Sequence, residues 1–527
     1  MFRLTTAVRR RAFSTKSLTL VEKKKEFVHD YSVLPSSLQY RLPENEVPIE
    51  EAKKTIRLNA NVLKTVLEEG GVESLKYQKN LASFLEYPLT NSKKLSRRRE
   101  RPRACKMLTR DFIEDSLYNP NYGYFSKEAE IFHPAKPFDY KNLKSQEDFM
   151  AHWLKAYDKY DHENEPSNEA KEQRITRPSL QLWHTPTELF QPYYGEALAR
   201  YLLVNYKLTQ YPYNDLIIYE MGGGNGTLML NILNYIRERQ PDVYARTKYK
   251  IIEISGRLAE KQKQSAIELR LKAEGGDHKD KVEIINKSIF EWKEVVSDPC
   301  FFIGLEVFDN FAHDVVKYDI NTQQPHQGYV LIDQNGDMRE YFSPRLDGWT
   351  EAFLTLREEG RYPVLHAPGP RLWGQHPLEK PVFYNQMKNS LNPLRAELSD
   401  SEYIPSRLLQ FFLILKEKFP EHRLLASDFH SLPDSSPGYM SPVVQTMLND
   451  RMVTTDSYMV LQGYFDIMFP TDFELMKDMY RQVVGKICKT STHREFLEQW
   501  SDIDATTTKT GENPMLDLYV NASFMLS

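Results

Sequence analysis

The chain has 527 residues, 41% hydrophobic and 12% aromatic, which is enough apolar material for one large decorated domain or two domains. Its formal net charge of -4 provides no basic field of the kind that holds nucleic acid nonspecifically, so small molecules or protein partners are the expected ligands. Cys105, Cys300 and Cys488 stand far apart, in no CxxC or Cys/His pattern, which argues against a disulfide framework or structural zinc and for a reducing compartment.

From the N-terminus, MFRLTTAVRRRAFSTKS carries Arg3, Arg9, Arg10, Arg11 and Lys16 with no acid before Glu22. This composition reads as a mitochondrial presequence over residues 1–16, with a basic tail that binds something anionic as the alternative. Residues 17–103 are highly charged with scattered helical patterns and end in the basic run SRRRERPR, so they read as a helical extension with a flexible junction. In MLTRDFIEDSLYNPNYGYF, Thr109 is placed to cap an amphipathic helix that NPNYG terminates. The polar stretch 127–176 reads as an insertion or mobile loop.

From Leu216 strands and helices alternate. LIIYE, KYKIIEIS, VEII and CFFIGLE read as strands, and helical patterns follow the first two, the second beginning after a capping Ser255. This predicts an α/β fold with a parallel, doubly wound sheet, its ligand lying at the carboxyl ends of the strands, within a core spanning 104–340. Residues 341–420 are expected to form helical additions on the substrate side, and 421–527 to complete the core. No run reaches the roughly 18 apolar residues of a membrane span, and the longest, CFFIGLEVF, is strand-sized.

Between the first strand and its helix lies YEMGGGNGTLML. No lysine follows in the position a phosphate loop requires, and the spacing fails the G-x-G-x-x-G dinucleotide pattern, so ATP and NAD are disfavoured. The spacing instead fits acid-x-Gly-x-Gly-x-Gly through Glu220, Gly222, Gly224 and Gly226, the pattern of class I methyltransferases that bind S-adenosylmethionine. Bare backbone lets the ligand approach the strand edge, and Glu220 would suit its ammonium group. Glu253, ending the next strand, is placed to accept both ribose hydroxyls. Ser288 stands where many such enzymes carry an adenine-contacting acid, or it simply begins a turn.

On these residues the chain resembles the MidA-like mitochondrial methyltransferases, which include a protein arginine methyltransferase of respiratory complex I assembly. LYNPNYGYF is similar to the family's NPxxGYY segment, with Asn119, Pro120, Gly123 and Tyr124 matching. HTPTELFQPYYGE resembles TSPE...FGE and retains Glu188, Gly195 and Glu196, one residue longer in spacing. EMGGGNGTL resembles ExGxGxGxL, with Asn225 where a basic residue is frequent, and IIEISGRLAEKQ resembles VEVSPxLxxxQ. GLEVFDNFAHDVV is similar to NEFFDALPV, retaining Glu306, Phe308 and Asp309 without the Leu-Pro ending. ASDFH and DIMFPTDF resemble ADYG and DLTADVDF, the latter retaining Asp466, Asp472 and Phe473.

The resemblance implies a class I methyltransferase fold and transfer of a methyl group from S-adenosylmethionine to a protein arginine. It further implies a location in the mitochondrial matrix and a protein substrate such as a complex I subunit. A guanidinium has a pKa above 12, so an acidic wall must orient it. Glu306 and Asp309, at the end of the CFFIGLE strand, are the expected catalytic pair; a capping Asp309 beside a solvated Glu306 is the alternative. His133, His184, His313 and His430 show no metal-ligand spacing. Tyr122, Tyr124, Tyr193 and Tyr194 form a lid over the ligand or simply pack. Two other functions stay open: a noncatalytic assembly factor that retains the adenosylmethionine pocket, and a small-molecule methyltransferase.

Overall fold

The computed structural model describes residues 82–127, 129–164, 181–262, 278–360, 387, 398–433, 435, 441–448 and 451–527. The expected presequence and the extension up to residue 81 lie outside them.

The chain enters through β1 (Cys105–Leu108) and α1 (Thr109–Tyr118). Leu108, not Thr109, occupies the cap position of α1, and no side chain caps the helix. The Thr109 hydroxyl instead lies 3.3 Å from that of Tyr458. The basic run before β1 is also anchored: Arg101 donates to the Gln462 carbonyl at 2.8 Å and stacks against Tyr122 and Tyr464. The polar stretch expected as a loop contains β2 (Ala129–Ile131) and α2 (Gln146–Asn164), and β3 (Gln181–Trp183) then pairs with β2. Its aromatic residues explain the order, since Phe132, Tyr140 and Phe149 are buried in the main core.

After α3 (Tyr193–Thr209) comes the alternating core: β4 (Leu216–Met221), α4 (Thr227–Arg239), β5 (Thr247–Glu253), α5 (Gly256–Lys261), β6 (Val282–Asn286) and β7 (Cys300–Leu305). An antiparallel sheet follows, built on β8 (Asp314–Tyr318), β9 (Pro325–Ile332) and β10 (Met338–Ser343), and α6 (Gly348–Gly360) follows it. β11 (Glu402–Ile404) returns to pair with β8 and leads into α7 (Ser406–Lys418) and β12 (His422–Phe429). The hairpin β13 (Val443–Leu448) and β14 (Arg451–Thr455), then β15 (Asp466–Met468), α8 (Phe473–Val483), β16 (Lys489–Thr492), α9 (His493–Trp500) and β17 (Ala522–Leu526) complete the chain.

The seven-stranded sheet has the order β16-β17-β12-β7-β4-β5-β6. β12, β7, β4, β5 and β6 run parallel, and β17 runs against both of its neighbours. Strand order moves outward from β4 to β6, then restarts on the other side with β7. That reversal opens a crevice above the carboxyl ends of β4 and β7. β4 is buried at all six positions, as a strand covered on both faces must be. Leu216 and Ile218 face α3, α4 and α9, whereas Ile217, Tyr219 and Met221 face α7 and α8.

Of the expected additions at 341–420, much of which lies outside the described residues, α7 is the crossover helix between β7 and β12, burying Leu408, Phe411, Phe412 and Leu415 against the sheet while its Arg407 lines the cavity described below. The inserted antiparallel sheet is tied to α1 by Arg110, which is buried and ion-paired with Asp314 and Asp347. That pin sets α1 across the top of the crevice. Among the described residues no helix is long and apolar enough to cross a membrane.

Candidate active site

The glycine loop turns directly off β4. Gly222 and Gly224 have φ of +74° and +50°, conformations that side chains with a Cβ rarely adopt. Space is short as well: a Cβ on Gly222 would come within 2.8 Å of Val307 Cγ1, and one on Gly224 within 3.0 Å of Ile131 Cδ1. β2, which carries Ile131, therefore lies over the loop, and Gly226 with φ +78° delivers the chain into α4.

Glu188 fastens this cover. Its buried Oε1 accepts hydrogen bonds from Asn225 Nδ2 at 3.0 Å and Thr227 Oγ1 at 2.7 Å, while Oε2 lies 2.7 Å from His133 Nδ1. Asn225 also donates to the Ile131 carbonyl at 3.2 Å. Glu188 was legible in the sequence as a family residue, but its role in clamping the loop was not.

Glu253 ends β5 and lines the cavity beyond the loop. Its Oε1 accepts from Ser255 N at 2.9 Å, and Gln262 Nε2 bridges the Gly224 carbonyl at 2.6 Å and Glu253 Oε2 at 3.4 Å. Burial pushes its carboxyl up to about 7, against the hydrogen bonds from Ser255 and Gln262. Ser288 begins a 3-10 turn, its Oγ accepting from Phe290 N at 3.3 Å, and it also lines the cavity.

Glu220 departs from expectation. Side chains alternate along β4, so this carboxylate turns to the helix-covered face, where it accepts from Tyr249 Oη at 2.8 Å and burial pushes it up to about 7. It does not line the cavity and is not positioned to meet an ammonium group there.

Of the expected catalytic pair only Glu306 lines the cavity. Glu306 follows β7 with φ +52°, a strained conformation for a residue with a side chain. Its amide donates to the Ser427 carbonyl at 2.9 Å, and its side chain lines the cavity with no hydrogen bond to any described residue. Burial and the nearby Asp428 hold its carboxyl well above the usual range. Asp309 does not line the cavity; it is 4% exposed, with Oδ1 buried and unpartnered among the described residues. The cause is Asp428 on β12, whose Oδ2 accepts from Phe308 N at 2.7 Å and Asp309 N at 3.1 Å and so folds the chain inward. Asp466 on β15 accepts from Asn310 Nδ2 at 3.0 Å and completes an acidic layer behind Glu306.

The cavity has a volume of about 160 Å³ and shares Tyr118, Glu114 and Arg407 with a neighbouring cleft of about 550 Å³. None of these three was singled out from sequence. Tyr118 projects from α1 and donates to the Asn310 carbonyl at 3.3 Å. Of the two readings of Tyr122, Tyr124, Tyr193 and Tyr194, packing is the one that holds: none of them lines the cavity, whereas Tyr118 and Phe125 do. Among the described residues no group of three or more His, Cys, Asp or Glu could hold a metal. His313, for example, lies against the Phe311 carbonyl and stacks on Phe469.

The model of the family described as "Putative S-adenosyl-L-methionine-dependent methyltransferase" matches residues 197–491, a span that includes the glycine loop, Glu253, Glu306 and Asp428. The chain belongs to this family. It is 23% identical over 418 residues to the mitochondrial protein arginine methyltransferase NDUFAF7 homolog of Schizosaccharomyces pombe, covering 76% of this chain and 80% of the relative. The corresponding Saccharomyces cerevisiae protein is 23% identical over 353 residues, covering 63% and 77%. A Burkholderia thailandensis structure bound to S-adenosyl-homocysteine aligns over 87% of this chain and 94% of its own at 14% identity, with a TM-score of 0.45.

S-adenosylmethionine is the family's cofactor, and the residues present fit it. The left-handed glycine loop leaves the strand edge bare, and Glu253 retains acceptor capacity toward the ribose hydroxyls.

Proposed function

We propose that this methyltransferase modifies an arginine of a protein substrate in the mitochondrial matrix, with a subunit of respiratory complex I as the acceptor. The observation that carries this reading is Glu306: a carboxylate on strained backbone, facing the cofactor cavity, without a hydrogen bond to any described residue, and backed by Asp309, Asp428 and Asp466. Buried acids crowded together favour a cationic ligand, and a guanidinium offers five N–H donors in a plane. The names of the two yeast relatives support arginine methylation and a mitochondrial location.

When bound, S-adenosylmethionine supplies a methyl group already activated on its sulfonium. The chain's own tasks are to hold the nucleophile, exclude water and receive a proton. Glu306 orients the guanidinium and directs its lone pair to one nitrogen. Ionised by pairing with the guanidinium, Glu306 then takes the N–H proton that methylation releases, because burial and Asp428 raise its proton affinity. Tyr118 and Phe125 roof the cavity against water.

The test is incubation of the full chain with labelled S-adenosylmethionine and mitochondrial extract, followed by amino-acid analysis of the labelled protein. Label in methylarginine on a complex I subunit, lost with Glu306→Gln, is expected. Label in another residue type, or only in small molecules, would sink the arginine assignment.

A further inference from the structure

The adenine of the cofactor carries a 6-amino group, which needs a hydrogen-bond acceptor when buried. Ser288 offers only a neutral hydroxyl, one lone pair of which already accepts from Phe290 N. Three carboxylates line the cavity: Glu253 at the ribose position, Glu306 beyond β7, and Glu114. Glu114 reaches in from α1, a part of the chain 139 residues before Glu253 and outside the matched family region.

Several contacts place Glu114 at the Ser288 end. Arg407 donates through Nη2 to Glu114 Oε2, and its guanidinium lies 5.1 Å from the centre of the Phe290 ring. Phe290 in turn is two residues from Ser288 and joined to it by the turn hydrogen bond. Ser288, Phe290, Arg407 and Glu114 therefore form a continuous wall, and all four line both the cavity and the adjoining cleft. Glu114 Oε1 has no hydrogen bond to any described residue, and its side chain keeps 20% of its surface.

We propose that Glu114 receives the adenine 6-amino group through this free oxygen, supplying from α1 the charged acceptor that position 288 lacks. The assignment rests on the S-adenosylmethionine reading of the cavity. Arg407 acts as a positioning residue: it neutralises the carboxylate as the ligand desolvates it and fixes its orientation. Arg110, pinned by Asp314 and Asp347 one turn earlier, holds α1 in register so that Glu114 stays over the slot.

The experiment compares calorimetric affinities of the full chain for S-adenosylhomocysteine and for two analogues, one with a 6-oxo group and one with hydrogen at that position. The wild type should prefer the amine over both by about 10- to 100-fold, the worth of one hydrogen bond to a charged group. Glu114→Gln, whose amide can also donate, should bring the amine and 6-oxo ligands to within about threefold of each other. A variant ratio equal to the wild type's overturns the proposal. So does a wild type that binds all three ligands equally, which requires no variant to fold. Those outcomes leave the cofactor reading intact, whereas a wild type that binds none of the three overturns both.

Discussion

The two sides of the cavity are built differently. The floor, from Met221 to Glu253, comes from 33 consecutive residues of one β-α-β unit in which the loop, its glycines and the buried acid follow in order. The roof and far wall draw Glu114 and Tyr118 from α1, Glu306 from the end of β7, Asp428 from β12 and Asp466 from β15. A floor written locally can be recognised from spacing. A wall assembled across more than 300 residues cannot, because its members share no periodicity.

The comparison can be broken most severely at the floor. Gly224→Val should lower S-adenosylmethionine affinity by at least about 100-fold in calorimetry, since φ +50° and the contact with Ile131 are both incompatible with a branched side chain. Affinity within about threefold of wild type would mean that the loop is not the cofactor cradle.

Glu188→Ala tests whether the clamp, rather than the glycines alone, shapes the loop. It leaves Asn225 and Thr227 without their shared acceptor. Stability should fall by about 1–3 kcal/mol in urea unfolding, with cofactor affinity reduced about tenfold. Loss of stability with unchanged affinity would assign Glu188 to folding only.

The pH dependence of binding sharpens the role of Glu253. Its carboxyl is raised to about 7 by burial, and ribose hydroxyls donate to the ionised form. Below pH 7 the free protein holds a proton that binding must expel, so affinity should fall, approaching tenfold per pH unit, until the bound form also titrates. Glu253→Gln should bind more weakly and lose this slope. A slope that persists in the variant would place the titrating group elsewhere.

The smallest effect is expected at the roof. Tyr118→Phe removes one hydrogen bond to the Asn310 carbonyl, so turnover should fall by about three- to tenfold with little change in cofactor affinity. Equal losses in both would move Tyr118 to the cofactor side.

Particular residues show how far sequence reading reaches. Gly222, Gly224, Gly226 and Glu253 stand where the spacing placed them, and Ser255 caps α5 through Leu258 N. Glu220 was misread because a motif gives position along the strand, whereas the pleat decides which face the side chain takes. Of the two expected carboxylates only Glu306 lines the cavity; Asp428, by accepting from the amides of Phe308 and Asp309, holds Asp309 behind it.

By itself, then, the sequence determined the alternation of strands and helices, the glycine turn and the acid that follows it, because hydrophobic period and glycine spacing act over a few residues. Only the tertiary structure decided that α7 is a core crossover, that β2 covers the glycine loop through Glu188, and that Glu306 rather than Asp309 faces the cavity. Those outcomes depend on buried hydrogen bonds and ion pairs between distant segments, which exist only once the chain has folded.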